Sequence, residues 1–242
     1  MRRSLAERWG VETRSGERPR PSAQRTLDQA PTRGGRRIGA GRKKGPRPNV
    51  RHARRPAHAK WVPVHVTLRR AKGLPSLRAE LLHNQLKQVV RETRRAGFRI
   101  AHYSVQHDHV HLIVEAENAA VLSSGMRSFA IRASKRLNRN GLNRARGRVW
   151  GDRYHRRDLA SPPEVRHALV YVLANGVKHG VVARGTIDPC SSAGWFDGWI
   201  APRPVPPEAS PTEPPTTWLL RTGWSTASPG FLFPSEAPKA AR

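Results

Sequence analysis

The first regular pattern along the chain is an alternation of apolar and polar residues over 62–68. Its apolar members are Val62, Val64, Val66 and Leu68. This period of two predicts a β-strand, because successive side chains of a strand point to opposite faces of a sheet. Pro63 lacks a backbone N–H, so we expect the strand to begin irregularly or to lie at a sheet edge.

Two amphipathic helices and two further strands are predicted next. The first helix spans Ser76–Ala96 and stops at Gly97, and its apolar stripe is Leu77, Leu81, Leu82, Leu86, Val89 and Val90. The second helix spans Ala119–Arg139, with apolar positions Val121, Leu122, Met126, Phe129, Ile131 and Leu137. Between the helices, residues 98–107 and 108–115 are rich in β-branched and aromatic residues, which predicts two antiparallel strands meeting near Asp108.

A third helix is predicted over Ser161–Asn175. Ser161 is a typical N-cap residue, the two prolines after it suit the first helical turn, and Glu164 completes the spacing of a capping box. A short strand-like segment over 149–158 precedes this helix. The order strand, helix, strand, strand, helix, strand, and then the third helix predicts an α+β fold. It corresponds to a ferredoxin-like βαββαβ antiparallel sheet with helices on one face.

Composition divides the chain into three parts. Residues 1–58 are rich in Arg, Pro and Gly and have almost no periodic apolar face, which predicts a basic disordered arm. Residues 59–200 hold the periodic elements and predict one folded domain. Residues 201–242 are dominated by Pro, Ser, Thr and Ala, which predicts a mostly disordered tail. Within the domain, the aromatic residues of Ser191–Trp199 are expected to cover the sheet edge or close the core.

The net charge of +28, from 45 basic and 17 acidic residues, predicts a polyanionic partner, and nucleic acid is the most direct candidate. We expect the arm to contact the nucleic-acid backbone, with a solvated tail as the alternative. The sequence has no apolar run near 18 residues and no signal-type segment after Arg2 and Arg3, so we expect a cytoplasmic protein. Cys190 is the only cysteine, which excludes an intrachain disulfide.

The strongest candidate for chemistry is the segment Ala101–Ala116, AHYSVQHDHVHLIVEA, in which one residue separates His109 from His111. Side chains two apart on a strand share a face and lie roughly 6–7 Å apart along the chain, so one cation can bridge them. The alternative is a strand with two polar residues on its wet face. His107 shares this face and is open to three interpretations, namely a third ligand, a phosphate contact or an ordinary strand residue.

Tyr171 and Asn175 lie four residues apart on the predicted third helix and therefore stack on one of its faces. A phenol and an amide would then face one target. The alternative for Tyr171 is a ring that packs on the sheet without a chemical role.

Basic residues form two candidate nucleic-acid surfaces. On the second helix a DNA contact and an ordinary solvated face are equally consistent with Arg127, Arg132, Lys135, Arg136 and Arg139. The segment ahead of the third helix combines basic side chains with one aromatic ring, which suits phosphate contacts and base stacking on single-stranded DNA. Its members are Arg148, Arg153, Tyr154, Arg156 and Arg157.

Taken in order, these motifs resemble the single-tyrosine HUH transposases, and most closely their REP-associated branch. The resemblance covers about residues 61–199. It is carried by His109-Val110-His111 followed by Leu-Ile-Val, by Gly147-Arg148-Val149-Trp150 with Arg153-Tyr154, and by YVLANGVKHG from Tyr171 to Gly180. The chain departs from the family twice: Gln106-His107-Asp108 stands where Met-Pro-Asn is common, and Asn175-Gly176 stands where Asn-Pro is common. Gly and Pro both end helices, so the second change is mild.

The resemblance implies a DNA transposase and single-strand endonuclease. It would cleave and rejoin hairpin-bearing single-stranded DNA through a 5′-phosphotyrosine intermediate on Tyr171. His109, His111 and Asn175 would hold a divalent cation, Mg²⁺ or Mn²⁺. Two histidines with oxygen partners suit Mn²⁺ better than Mg²⁺, which prefers oxygen alone.

Two alternatives to this function stay open. They are a catalytically silent DNA-binding protein of the same fold and a related HUH nickase for replication or plasmid transfer. A homodimer is a possible assembly, since some relatives build their sites across a dimer and others act as monomers.

Overall fold

The computed structural model describes residues 57–60, 62–141, 147–200, 205–227 and 230–236. Predictions for the basic arm before residue 57 lie outside the described residues. In chain order the strands and helices are β1 Val64–Arg69, α1 Glu80–Glu92, β2 Phe98–Val105, β3 His109–Ala116, α2 Ala119–Arg139, β4 His155–Asp158, α3 Pro162–Leu173, α4 Asn175–Lys178 and α5 Trp218–Arg221. Short 3₁₀ segments lie at Ser192–Trp195 and Gly223–Thr226. Across these ranges, every helix is too short or too polar to cross a membrane.

The four strands form one sheet in the order β2-β3-β1-β4, and each neighbouring pair is antiparallel. β3 and β1 are central, while β2 and β4 lie at the edges. This order, together with the sequence of elements, is that of a ferredoxin-like βαββαβ sheet. The predicted fold class is confirmed.

Helices α1 and α2 cover one face of the sheet. Alternation along β1 turns Val64, Val66 and Leu68 toward these helices, whose apolar stripes complete a first core. Gly125 of α2 sits directly on the ring of Phe98, and an added Cβ would overlap that ring. The close approach of α2 to β2 therefore depends on a residue without a side chain.

Helix α3 packs on the opposite face, so the prediction of helices on one face describes α1 and α2 but not α3. Its apolar residues form a second core with Ala101 of β2 and Ile113 of β3. The segment Ser191–Trp199 closes this core with Phe196 and Trp199, and Ser191 bridges to Ser104 at the β2 edge. The expected role of this aromatic segment is confirmed.

The prediction of a mostly disordered tail after residue 200 is wrong for the described parts of that segment. Leu220, Trp224 and Leu232 are buried in the second core. Thr216 and Thr217 each donate a backbone N–H and a hydroxyl to the buried carboxylate of Glu115, at 2.6 to 2.9 Å. Isolated apolar residues in a Pro-rich background hide this packing, because they show no periodicity.

A second anchor joins the C-terminal segment to α3. Arg166 donates both terminal guanidinium nitrogens to the carboxylate of Glu236, at 3.1 and 2.8 Å, and one of them also to the carbonyl of Phe231 at 3.0 Å. The helix that carries Tyr171 is thus packed between the sheet and residues from the end of the chain.

The folded region also begins slightly before the predicted end of the arm. His58 is buried, with Nε2 at 3.2 Å from the carbonyl oxygen of Ala116 and Nδ1 at 3.6 Å from the carboxylate of Asp158. This histidine therefore joins the rim of the sheet rather than the arm.

Candidate active site

His109 and His111 lie on the face of β3 toward which α3 packs, as the strand period requires. Their ring centroids are 4.5 Å apart and the ring planes are nearly perpendicular, at 83°. Both residues are buried. The sequence expectation of two neighbouring imidazoles on one strand face agrees with this arrangement.

Each of these histidines has its Nδ1 atom engaged. Nδ1 of His109 lies 2.6 Å from Oδ1 of Asp108, and Nδ1 of His111 lies 3.0 Å from Oγ1 of Thr67 and 3.1 Å from Nε2 of His65. Within the described residues, Nε2 of His111 is buried and has no hydrogen-bond partner. The Nε2 atoms are therefore the ones that these contacts leave for a ligand.

The contact of Asp108 with His109 was not predicted from the sequence. A histidine that binds a metal usually donates its other ring N–H to a carboxylate or carbonyl, which fixes its orientation. Partial burial of Asp108 opposes ionisation, but the hydrogen bond from His109 and the charges of His109 and Arg69 hold its pKa below the ordinary value. The sequence feature that could have indicated this contact is the position of Asp108 directly before His109-Val110-His111.

The buried histidines of the site favour the neutral state. Burial lowers the pKa of His111 well below its ordinary value, and the nearby His65, His109, His179 and Lys178 lower it further. Burial also lowers the pKa of His109, although the hydrogen bond with Asp108 opposes the shift. The pKa of His65 falls to about 4, first through burial and then through Arg157 and His109. Neutral imidazole is the form that binds metal ions.

The structure places Tyr171 beside the histidines. Its ring centroid lies 5.0 Å from that of His111 and 5.6 Å from that of His65, in edge-on arrangements. The tyrosine is half-buried at the junction of α3 and the sheet. The contact spans 60 residues of sequence and brings a phenol next to a candidate metal ligand.

Asn175 does not belong to the same helix as Tyr171, contrary to the predicted span Ser161–Asn175. Helix α3 ends at Leu173, Ala174 caps it, and Asn175 begins α4. The side chain is fully buried, and neither its Oδ1 nor its Nδ2 has a hydrogen-bond partner among the described residues. An unpaired buried amide costs roughly 1–3 kcal/mol, so a ligand at this position would relieve a real penalty.

Gly176 allows the backbone of α4 to pack closely against neighbouring side chains, because glycine has no side chain of its own. A Cβ at this position would collide with Oδ2 of Asp188 and with the side chain of Val182. Asp188 is itself buried and accepts two hydrogen bonds of 2.9 Å from Arg78. The buried carboxylate of this partly buried ion pair thus lies against the backbone next to Asn175.

Three further residues at the site were not assigned from the sequence, namely His65, Lys178 and His179. Nζ of Lys178 lies 4.6 Å from the ring centroid of Tyr171, and the ring of His179 lies 5.6 Å from that of His109. His65 is visible in the alternation of β1, and the other two follow Asn175 in the last motif. Their proximity to His109 and His111 could not be predicted, because all three residues lie far from that motif along the chain.

His107 does not join the site. It lies in the turn between β2 and β3 and is exposed. Its carbonyl oxygen accepts hydrogen bonds from the backbone N–H of Leu77 at 3.0 Å and from Nε of Arg70 at 3.3 Å. Its contacts are those of a turn residue.

The predicted DNA-binding residues fall on two sides of the sheet. Those of α2, which are Arg127, Arg132, Lys135 and Arg136, belong to the helix layer opposite Tyr171. Arg132 and Arg136 approach the carboxylate of Glu92 on α1. The structure therefore does not bring this group to the histidine site.

The second basic group lies nearer to the histidines. On β4, Arg157 pairs in register with His65, and its side chain is 69% exposed while it contacts Glu164 at 3.1 Å. Arg156 points to the other face, beside Asp158. Arg148 is exposed and Arg153 is half-buried ahead of β4.

The donor set at the site fits a divalent cation of the Mn²⁺ type. Two imidazole nitrogens and one amide oxygen leave further positions for water and phosphate oxygen. Within the described ranges no three His, Cys, Asp or Glu side chains are arranged so that they could hold a metal ion together, so a third protein donor would be of another type, and Asn175 is the candidate. Its unpaired amide and the unpaired Nε2 of His111 are the atoms that such a cation would satisfy.

Residues 61–169 match the family of IS200-like transposases. The matched segment, less than half of the chain, is similar to that family. A solved structure of a REP-associated tyrosine transposase bound to a REP hairpin aligns with a TM-score of 0.46 and 21% identity, over 56% of this chain and 78% of that chain. A comparison with curated proteins found no match.

The matched segment includes the histidine pair but ends two residues before Tyr171. The two departures of the sequence from the common family motifs have structural counterparts. Asp108, in the first departure, hydrogen bonds to His109, and Gly176, in the second, makes room for Asp188. Both departures lie beside the candidate donor residues and leave His109, His111 and Asn175 unchanged.

Proposed function

We propose that the transposase domain cleaves and rejoins single-stranded DNA through a covalent 5′-phosphotyrosine intermediate on Tyr171. The observation that carries this proposal is the contact between the ring of Tyr171 and that of His111, whose buried Nε2 lacks a hydrogen-bond partner among the described residues. A tyrosine that only packs on a sheet would not require a neighbouring imidazole with an unpaired buried nitrogen.

His109, His111 and Asn175 would hold the divalent cation, Mn²⁺ or Mg²⁺. When bound, the cation would act as a Lewis acid on the scissile phosphate. Asp108, Thr67 and His65 contact the Nδ1 atoms of the two imidazoles, so the protein would provide a prepared site rather than one formed by the ion. Burial keeps the imidazoles neutral and available as ligands.

Tyr171 would act as the nucleophile. Its phenolic oxygen forms a bond to phosphorus while the bond from phosphorus to the 3′ oxygen breaks. The phenol loses its proton to solvent, and the leaving 3′ oxygen gains one, so the products are a 5′-phosphotyrosine and a free 3′ hydroxyl. Since one phosphodiester replaces another, attack by a 3′ hydroxyl can reverse the step without ATP.

Single-stranded DNA, including DNA that carries a hairpin, is the substrate that we propose. The net charge of +28 favours a polyanion, and Lys178 and Arg157 place positive charge beside Tyr171 and His65. A homodimer stays a prediction, which sedimentation velocity of the purified protein with and without DNA would test.

The test is formation of a covalent adduct. Purified protein is incubated with end-labelled single-stranded and hairpin DNA in Mn²⁺ or Mg²⁺, and products are separated by denaturing electrophoresis. We expect an adduct from the wild type and none from Tyr171→Phe, which keeps the ring and removes only the nucleophilic oxygen. Tyr154→Phe is the matched control, because Tyr154 packs against the first core, away from the histidines.

Three outcomes would contradict the proposal. An adduct from Tyr171→Phe would place the nucleophile elsewhere. Tight DNA binding by the wild type without an adduct, across both metals and several hairpins, would support a catalytically silent DNA-binding protein. Cleavage without rejoining of a supplied 3′ hydroxyl strand would instead favour a nickase.

A further inference from the structure

We propose that His65 and Thr67 of β1 are positioning residues that together fix the ring of His111 in the tautomer that a metal requires. The inference rests on the proposed function, because it takes His111 as a metal ligand. It assigns a task to two residues that are not among the proposed metal ligands.

The sheet register brings these residues to His111. β1 and β3 are antiparallel, with Thr67 directly opposite His111, and His65 lies two residues along β1 on the same face. Oγ1 of Thr67 lies 3.0 Å from Nδ1 of His111, and Nε2 of His65 lies 3.1 Å from the same atom. Two side chains therefore converge on one ring nitrogen.

The chemistry of a metal-bound imidazole decides how these contacts must be made. A neutral histidine that offers the lone pair of Nε2 to a cation carries its proton on Nδ1. Nδ1 of His111 is then a donor, and both neighbours must accept. Thr67 accepts through a hydroxyl lone pair, while His65 accepts through the lone pair of Nε2 and must carry its own proton on Nδ1.

The other tautomer of His111 would disable the site. With the proton on Nε2, the ring would present an N–H where the cation needs a lone pair. Two acceptors at Nδ1 stabilise the productive tautomer, because one N–H can be shared between them in a three-centre bond. The hydroxyl of Thr67 can also rotate and donate, and Nε2 of His65 would donate in the other tautomer of that ring, so the productive arrangement requires the proton of His65 on Nδ1.

His65 also touches the nucleophile. Its ring centroid lies 5.1 Å from that of His111 and 5.6 Å from that of Tyr171. This packing could be supplied by any flat ring, whereas the hydrogen bond to Nδ1 needs an acceptor at the position of Nε2. The two roles can therefore be separated by substitution.

The experiment compares two double variants. His65→Phe with Thr67→Val keeps the size of both side chains and removes both acceptors. His65→Gln with Thr67→Ser keeps an acceptor at each place. Isothermal titration calorimetry of Mn²⁺ into the DNA-free protein measures affinity without reference to cleavage, and circular dichroism checks the fold.

We expect the Phe and Val pair to weaken Mn²⁺ binding by about 10-fold to 100-fold, the usual effect of losing the partners of a metal ligand. The Gln and Ser pair should restore most of the wild-type affinity. Unchanged affinity in the Phe and Val pair would overturn the proposal, and a loss confined to the Gln and Ser pair would indicate ring packing alone. Equal losses in both pairs would also overturn it, because a retained acceptor would then make no difference.

A second measurement needs no variant. In the Mg²⁺-saturated wild type, the ¹⁵N shifts of the ring nitrogens should show protons on Nδ1 of both His65 and His111. A proton on Nε2 of His65 would overturn the assignment even if the double variants fail to fold. If the wild type binds no cation at all, the proposed metal site and this inference both fail. If it binds and cleaves normally with the wrong tautomers, only this inference fails.

Discussion

The ammonium nitrogen of Lys178 lies 4.6 Å from the ring centroid of Tyr171. Lys178 lies in α4, which begins two residues after α3 ends. Its positive charge therefore lies beside Tyr171, seven positions earlier in the sequence. The same charge contributes to lowering the pKa of His111. A phosphate that meets Tyr171 and the histidines would therefore also meet a lysine.

Lys178→Gln should slow formation of the covalent adduct, because charge developing on the phosphate oxygens would lose a nearby cation. We expect a loss of about 100-fold in the single-turnover rate. Mn²⁺ affinity should not fall, since the substitution removes a positive charge from beside the metal site. Lys178→Arg is the control and should retain more activity than Gln. A Gln variant with the wild-type rate would exclude a role for this charge.

Asp108→Asn should weaken Mn²⁺ binding by about 10-fold to 100-fold, because the hydrogen bond to His109 would lose its negative charge. Hairpin DNA binding should change little, since Asp108 contributes no positive charge. Calorimetry and a gel-shift assay in EDTA measure the two effects separately. Asp152→Asn, in the segment before β4, is the control. Equal Mn²⁺ affinity in wild type and Asp108→Asn would show that the contact does not support a metal ligand.

Arg157 and Arg127 give a matched test of the two basic surfaces. Arg157→Gln should weaken binding of unstructured single-stranded DNA and reduce the log–log salt slope by about 0.7, because β4 borders the histidine face. Arg127→Gln, on the opposite helix layer, should leave this slope unchanged. Fluorescence anisotropy from 50 to 300 mM salt measures both. If Arg127→Gln reduced the slope and Arg157→Gln did not, the DNA would bind on the α2 side of the sheet.

Much of the fold could be predicted from the sequence, because its signals are local. Helix α2 begins and ends at the predicted residues, where Asn118 caps it by accepting from the N–H groups of Ala120 and Val121. The shared face of His109 and His111 follows from the strand period alone. These features depend on neighbours within four residues.

The rest could not be predicted because it depends on contacts between distant residues. His65 and His111 are 46 positions apart, and Glu115 and Thr217 are 102 apart. The periodicity of the sequence does not indicate which ring nitrogen of a histidine is unpaired or which threonine contacts a buried carboxylate. The same limit explains why the tail after residue 200 resembled a disordered segment.

The hydrogen bonds that Thr216 and Thr217 donate to the buried carboxylate of Glu115 lead to a stability prediction. Thr216→Val with Thr217→Val removes both hydroxyl donors from a buried carboxylate and keeps the side-chain shapes. We expect a loss of about 1–3 kcal/mol in the free energy of unfolding, because the carboxylate stays buried with fewer donors. Urea unfolding measures it. Thr222→Val, whose exposed hydroxyl makes a long 3.4 Å bond, should change stability little. Equal losses of unfolding free energy in the double variant and in Thr222→Val would show that the hydroxyl donors to Glu115 contribute no particular stability.

Burial makes His102 a source of pH-dependent stability. Its ring packs edge-on against Phe196, with centroids 5.6 Å apart, and burial lowers its pKa from 6.5 to about 4. Between these two values the unfolded chain binds a proton at this position and the folded protein does not. Stability from His102 is therefore fully present above pH 6.5 and is lost as the pH falls toward 4.

His102→Phe should remove this part of the pH dependence while keeping a ring against Phe196. Between pH 7.5 and 5.0 the wild type should lose about 2 kcal/mol more unfolding free energy than the variant, since each pH unit is worth about 1.4 kcal/mol per proton. Urea unfolding at both pH values, in EDTA so that metal binding does not contribute, measures the difference. His65 and His83, whose pKa values are also lowered to about 4, titrate in both proteins and cancel in this comparison. Parallel pH curves for wild type and variant would show that His102 takes up its proton equally in the folded and unfolded chains.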